Sequence, residues 1–211
     1  VSDNNKGLSL HRVTAVVLDE ADKMLQMGFE TQVRNILQQL RSDRQTLMLS
    51  ATMGRKIESV AGDWLQKDVV RISVGRTGEA SKNVDSHVVV LPNEDAKGAF
   101  LLEMLPIFRD LGRTIVFVAT REGCEKLASS VSQQTDVAAL TLHGDKHQSD
   151  RNAAVRLFTR NEISILIATD VAARGLDIPN VQTVVSFDPA KNLDAHVHRV
   201  GRAGRLSKET K

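Results

Sequence analysis

Four residues, Asp19-Glu20-Ala21-Asp22, follow the apolar run Val16-Val17-Leu18 with no turn between them. In a parallel sheet, ligands bind beyond the carboxyl ends of the strands. A carboxylate placed there suits magnesium, a hard cation that takes one or two carboxylates together with waters and phosphates. Asp19 is the candidate ligand, and Glu20 beside it is placed to orient or deprotonate a water. Asp22 taken alone competes with a plainer reading, an acidic residue offsetting the dipole of a first helical turn. Ser50-Ala51-Thr52 ends the next apolar run. Small hydroxyls there reach carboxylates one strand away, although serine and threonine also commonly cap helices.

The stretch "LHGDKHQSDR" holds His143 and His147, and His196 and His198 follow later. A metal reading of these histidines is weak, because Gly144 breaks any helical face aligning the first two and no cysteine joins them. Gly144 reads as a strand-to-loop turn. Gln148 and Arg151 then fall in the first turn of a helix, which suits a phosphate of a polynucleotide backbone. In "IATDVAARGLDIP" an apolar strand, Ile163 to Ile167, runs into a polar turn. Thr169 there suits a phosphate and Asp177 a ribose hydroxyl, against the bland alternative of a turn held by Gly175 and Pro179.

"HRVGRAGR", His198 to Arg205, spaces Arg199, Arg202 and Arg205 three residues apart with glycines between. Surface arginines are usually only solvated charge. Glycine spacing differs, because the chain can then turn closely around an anion. An arginine that meets a transferring phosphoryl group is worth roughly 10³–10⁵ in rate, or about 4–7 kcal/mol.

These groups need a frame, and the apolar periodicity supplies one. "HRVTAVVLDE", "RQTLMLSAT" and "VVRISV" read as strands. Between them "KMLQMGFETQVRNILQQL", broken at Gly28, and "RKIESVAGDWLQ" read as amphipathic helices. Val33, Ile36, Leu37 and Leu40 form the expected core stripe. Residues 75–83 are polar, carry two glycines, and read as a linker. After it "SHVVVLP", "RTIVFVAT", "VAALTLHG", "ISILIATD" and "VQTVVSFD" read as strands. The helices expected among them are "EDAKGAFLLEMLPIF", "REGCEKLASSVSQQ", "QSDRNAAVRLFTR" and a last one through "NLDAHVHRVG". Alternating strands and helices imply an α/β fold with a parallel sheet covered on both faces.

The chain of 211 residues, 41% hydrophobic and 26% charged, is long enough for one large or two small globular domains. No apolar run is long enough to span a bilayer and no leader pattern opens the chain. A soluble intracellular protein of nucleus or cytoplasm is therefore expected, with no membrane partner. The lone Cys124 excludes an internal disulfide and reads as a small buried residue on a helix. A net charge of +2 requires any nucleic-acid surface to be local. An aromatic share of 3%, with no tyrosine and one tryptophan, argues against base stacking as the main mode of recognition.

In this order, Asp19-Glu20-Ala21-Asp22, Ser50-Ala51-Thr52, "VFVAT", "HGDKHQSDR", "ATDVAARGLD" and "HRVGRAGR" resemble the motifs of DEAD-box ATP-dependent RNA helicases of superfamily 2. The likeness runs from about Val13 to Arg205. It implies two RecA-like parallel-sheet lobes. Residues 1–74 would be the C-terminal half of the first, 75–83 the interlobe linker, and 84–211 a nearly complete second lobe. It implies ATP and Mg2+ as ligands. Asp19 would hold the metal through water, Glu20 would position the hydrolytic water, and Arg202 and Arg205 would act as arginine fingers on the γ-phosphate. Asp177 matches the ribose contact. Thr120, Gln148, Arg151 and Thr169 match contacts to the sugar-phosphate backbone of single-stranded RNA, which carry little base information. Asp22, Ser50 and Thr52, with Arg174 and His198, match positions that couple the ATP and RNA sites. Closure of the lobes on both ligands would separate short duplexes locally or remodel RNA–protein complexes, and protein regulators of that closure are expected.

Departures from the family pattern are small: Val200 and Ala203 stand where isoleucine and threonine are common, and Phe187 where tyrosine often stands. A phosphate loop of the form G-x-x-x-x-G-K-[ST] does not occur, and "GRTGEASK" lacks its ending. That loop is expected upstream of Val1, and a last strand and helix beyond Lys211. The 211 residues alone are expected to be inactive. The other reading is a non-catalytic RNA-binding or partner-binding module derived from a helicase.

Overall fold

The computed structural model describes residues 9–74, 84–173, 178 and 180–203. The chain divides into two compact units, Val1–Gly78 and Glu79–Lys211. The expected linker, 75–83, lies outside the described residues.

In the first unit, β1 (Ala15–Leu18) pairs in parallel with β2 (Gln45–Met48). Between them run α1 (Ala21–Gln26) and α2 (Glu30–Gln38), and α3 (Arg55–Trp64) follows. The break between α1 and α2 falls at Gly28, whose φ of +77° is left-handed backbone that favours glycine. Leu18, Leu25, Val33, Leu37, Val60 and Trp64 form the core. Ile36, expected in the stripe, is instead exposed.

The second unit has a four-stranded parallel sheet in the order β4-β5-β3-β6. Its strands are β3 (Thr114–Val118), β4 (Ala139–Leu142), β5 (Ile165–Thr169) and β6 (Thr183–Ser186). The helices are α4 (Glu94–Leu111), α5 (Arg121–Gln134), α6 (Gln148–Thr159), the short α7 (Asp170–Ala173) and α8 (Leu193–Val200). Alternation along the central strands serves two cores. Val116, Val118, Ile165 and Ile167 pack with Leu105 of α4 and Val131 of α5. Ile115, Phe117, Leu166 and Ala168 face Phe158 of α6 and Ala173 of α7. Side-chain amides or hydroxyls cap three helices: Asn93 accepts from Ala96 N at 2.8 Å, Thr120 from Gly123 N at 3.0 Å, and Asn192 from Ala195 N at 2.8 Å.

Two expected strands do not form. "VVRISV" (69–74) and "SHVVVLP" (86–92) take no regular structure, and Val70, Ile72, Val74, Val88 and Val90 are each at least 80% exposed. A strand is defined by its neighbour, and neither segment has a ladder partner among the described residues. The short α7 was not legible in the apolar pattern, since a single turn leaves no periodicity. Among the described residues no helix is long and apolar enough to cross a membrane.

Candidate functional site

In the first unit the site begins where β1 ends. Glu20 has φ 52° and ψ 47°, left-handed backbone that a non-glycine residue adopts at a cost. The chain thereby passes from strand to helix with only Asp19 and Glu20 between them. The Asp19 carboxylate is exposed there, and its Oδ1 accepts from Glu20 N at 2.9 Å. The turn drives Asp22 inward to 3% exposure. Its Oδ2 accepts from Thr52 N at 3.0 Å and from Thr52 Oγ1 at 2.9 Å, and its Oδ1 from Lys23 N at 2.9 Å. Asp22 thus holds the segment after β2 against α1, a role beyond offsetting the helix dipole. Ser50 does not reach a carboxylate: its hydroxyl donates to Thr52 O at 2.6 Å, bracing the same turn from within.

A single exposed carboxylate with oxygen donors fits a magnesium ion that keeps most of its waters and leans on phosphates. It does not fit an ion caged by protein alone, and among the described residues no group of three or more acidic, histidine or cysteine side chains is placed to hold a metal ion.

In the second unit, strand register brings the other candidates together. Val118 is level with Thr169, Leu142 with Ala168, and Phe117 with Ser186. Thr120, Thr169 and the turn leading to Gln148 and Arg151 therefore share the carboxyl edge of one sheet. Thr120 caps α5, exposed. Gln148 opens α6 and donates from Nε2 to Asn152 Oδ1 at 2.8 Å, while Arg151 donates to Gln148 Oε1 at 3.1 Å. Thr169 is 8% exposed at the end of β5.

Of the spaced arginines, Arg199 is a structural clamp. It is 2% exposed and donates to both Asp170 oxygens, at 2.7 and 3.0 Å, and to Asp188 O at 2.6 Å. Its guanidinium lies 5.0 Å from the Phe117 ring centroid. Arg202 is buried too, and with His198, Asp170 and Phe117 it lines a small crevice. Arg174, Asp177 and Arg205 lie outside the described residues.

Sequence reasoning missed three groups. Asp188 accepts from Ala119 N at 2.7 Å and pairs with Lys97 at 2.9 Å, so it fixes the backbone just before Thr120. Burial pulls the Lys97 ammonium down, but Glu94 and Asp188 more than offset this and hold it above its ordinary value. Arg113 donates to Thr159 O at 2.8 Å and Asn180 O at 3.1 Å, tying α6 to the approach to β6. Glu125 accepts from Thr141 and His143, and above all the His143 bond holds its carboxyl below the usual range. Charge alone could not single these out, because their partners are distant in sequence. Cys124 is buried on α5 as expected, and burial pushes its thiol up to about 12, which leaves it inert.

Two parallel α/β units with polar groups at their sheet edges have the architecture of RecA-like lobes. Residues 96–207 match the helicase conserved C-terminal domain, and residues 1–60 match the DEAD/DEAH box helicase model. The chain is 45% identical over 204 residues to the ATP-dependent RNA helicase DDX42 of Xenopus laevis, covering 97% of this chain and 21% of that protein. It is 46% identical over 200 residues to DEAD-box ATP-dependent RNA helicase 24 of Oryza sativa subsp. japonica, covering 95% and 26%. Among solved structures it superposes on S. cerevisiae Dbp5 bound to RNA and ADP BeF3 with a TM-score of 0.81 at 29% identity, covering 94% of this chain and 52% of that one. The yeast DEAD-box splicing factor Prp28 gives a TM-score of 0.51 at 36% identity, covering 94% and 44%. The chain belongs to the DEAD-box helicase family, and it spans about a fifth to a quarter of the length of these curated relatives.

Proposed function

We propose that this chain supplies part of an ATP-dependent RNA helicase, an RNA-stimulated ATPase that separates short duplexes or remodels RNA–protein complexes. Residues 1–74 serve as part of the ATP-binding lobe and 84–211 as the second lobe. The observation that most supports this is the convergence of Thr120, Gln148, Arg151 and Thr169 on one sheet edge, set by strand register. Hydroxyls, an amide and a guanidinium at helix starts suit phosphates and sugars, so one RNA strand is held with little sequence preference. Relatives named as RNA helicases, and a Dbp5 neighbour bound to RNA and ADP BeF3, support the same reading.

In this proposal Asp19 binds the hydrated Mg2+ and Glu20 orients the attacking water. Arg202 and Arg205 neutralise charge on the γ-phosphate, and Asp177 binds the ribose. Magnesium, when bound, neutralises phosphate charge. Asp22, Ser50, Thr52, Arg174 and His198 carry the coupling between nucleotide and RNA. A further Dbp5 neighbour is bound to Gle1, which supports protein regulators of the helicase. No phosphate-loop pattern occurs among the 211 residues, so the chain by itself hydrolyses little or no ATP.

Phosphate release with and without RNA, measured for this chain and for one extended to include a phosphate loop, tests the proposal. RNA-stimulated turnover only in the extended protein is the expected result. Strong RNA-stimulated turnover by the 211 residues, or none by either protein, would overturn it.

A further inference from the structure

Glu125 stands in the second turn of α5, and its side chain is 55% exposed. An exposed glutamate ordinarily makes few fixed contacts. Here one oxygen, Oε1, receives Thr141 Oγ1 at 2.9 Å, His143 Nε2 at 2.7 Å and Lys146 Nζ at 3.6 Å. Thr141 is in β4, while His143 and Lys146 belong to the turn that joins β4 to α6.

His143 is 7% exposed, and its Nδ1 is buried without a hydrogen-bond partner. An ionised carboxylate only accepts, so the ring nitrogen facing it, Nε2, carries a hydrogen. A leucine would fill the same space with no orphaned nitrogen. What histidine supplies here is the bond from Nε2 to Glu125. A second tie runs alongside: Arg121, the first residue of α5, pairs with Asp145 of the same turn.

The turn is continuous with the start of α6. His147 O accepts from Asp150 N and Arg151 N, both at 3.1 Å, so displacing the turn displaces the first helical residues. The bodies of the two helices are held elsewhere, α5 by Cys124, Leu127 and Val131, and α6 by Ala154 and Phe158. The exposed charged ties therefore act on the N-terminal ends, where Thr120 lies on one helix and Gln148 and Arg151 on the other.

We propose that Glu125 is a positioning residue for RNA binding: with His143 it braces the N-termini of α5 and α6, holding Thr120 at a fixed spacing from Gln148 and Arg151 along one RNA strand. The inference rests on the RNA-binding role proposed above, and its test separates the two.

Binding of a short fluorescein-labelled oligouridylate to the full chain is read by anisotropy, with thermal melting in parallel. Glu125→Ala weakens binding about tenfold, whereas Glu125→Gln, which still accepts from Thr141 and His143, stays within about twofold of wild type. In an Arg151→Ala background, Glu125→Ala adds less than about twofold, because the braced group is already gone. Asp145→Ala, which removes only the exposed outer tie, weakens binding about threefold and remains informative if Glu125→Ala fails to fold.

If Arg151→Ala weakens binding while Glu125→Ala and Asp145→Ala bind as wild type, the brace is overturned and the RNA reading stands. Fully additive losses, or a lowered melting temperature with unchanged affinity, overturn it as well. If neither Thr120→Ala nor Arg151→Ala weakens binding, the RNA reading falls and the brace falls with it.

Discussion

The sheets of the two units use the same parallel pairing but bury it differently. Every residue of β3 and β5 is buried, and a hydrophobic cluster lies on each face. In β1 and β2 exposed residues alternate with partly or wholly buried ones, and Val17 and Leu47 are 59% and 43% exposed. A strand buried on both faces reads as a continuous apolar run, but β1 is equally apolar in sequence. Burial thus depends on what covers the strand as much as on the strand itself.

Substitutions can break or sharpen this contrast, and the single tryptophan helps, since buried Trp64 reports on the first unit while circular dichroism reports on both. Phe158→Ala should cost about 3–5 kcal/mol, through the cavity it leaves in the second unit. Denaturant unfolding should show the loss by circular dichroism with the tryptophan transition unmoved; a matching shift of both would mean that the units unfold together. Arg199→Leu should cost a similar 3–5 kcal/mol or so, because Asp170 would keep a charge with its clamp removed. Thr52→Val takes one of three donors from buried Asp22 and should cost about 1–2 kcal/mol, seen in the tryptophan signal. Val17→Thr, on the uncovered face of β1, should change stability by less than about 0.5 kcal/mol. A loss near that of Phe158→Ala would mean this face is covered in solution.

Acid tests the smallest effect. The folded Glu125 carboxyl is held below its ordinary value, chiefly by His143. Its contribution is therefore present above the unfolded glutamate pKa, about 4.3, and fades as pH falls through the lower folded value. The melting temperatures of wild type and Glu125→Gln should differ at pH 7 and draw together as the pH falls below the unfolded glutamate pKa, about 4.3.

Much of this was legible in the sequence. Helix α5 falls on the residues its periodicity marks, and the break at Gly28 falls where glycine alone accepts the backbone angle. Hydroxyls of Ser50 and Thr52 reaching the carboxylates one strand away were legible from the parallel alternation, and of the two only Thr52 reaches one, Asp22. Asp170 with Arg199, and Asp188 with Ala119, were not, since nothing local distinguishes a clamping carboxylate from a solvated one. The segments 69–74 and 86–92 failed for the opposite reason: their alternation is strand-like, but alternation does not supply a neighbour.

Thr120 offers both an acceptor and a donor from one oxygen. Its hydroxyl takes the Gly123 N–H as a helix cap, so its own hydrogen points away from the helix. Beside the positive end of α5, a partner that meets this hydrogen must bring a lone pair and is favoured if it is negative. The cap thereby leaves a hydroxyl donor at the positive end of a helix, a place that favours an anionic or carbonyl oxygen.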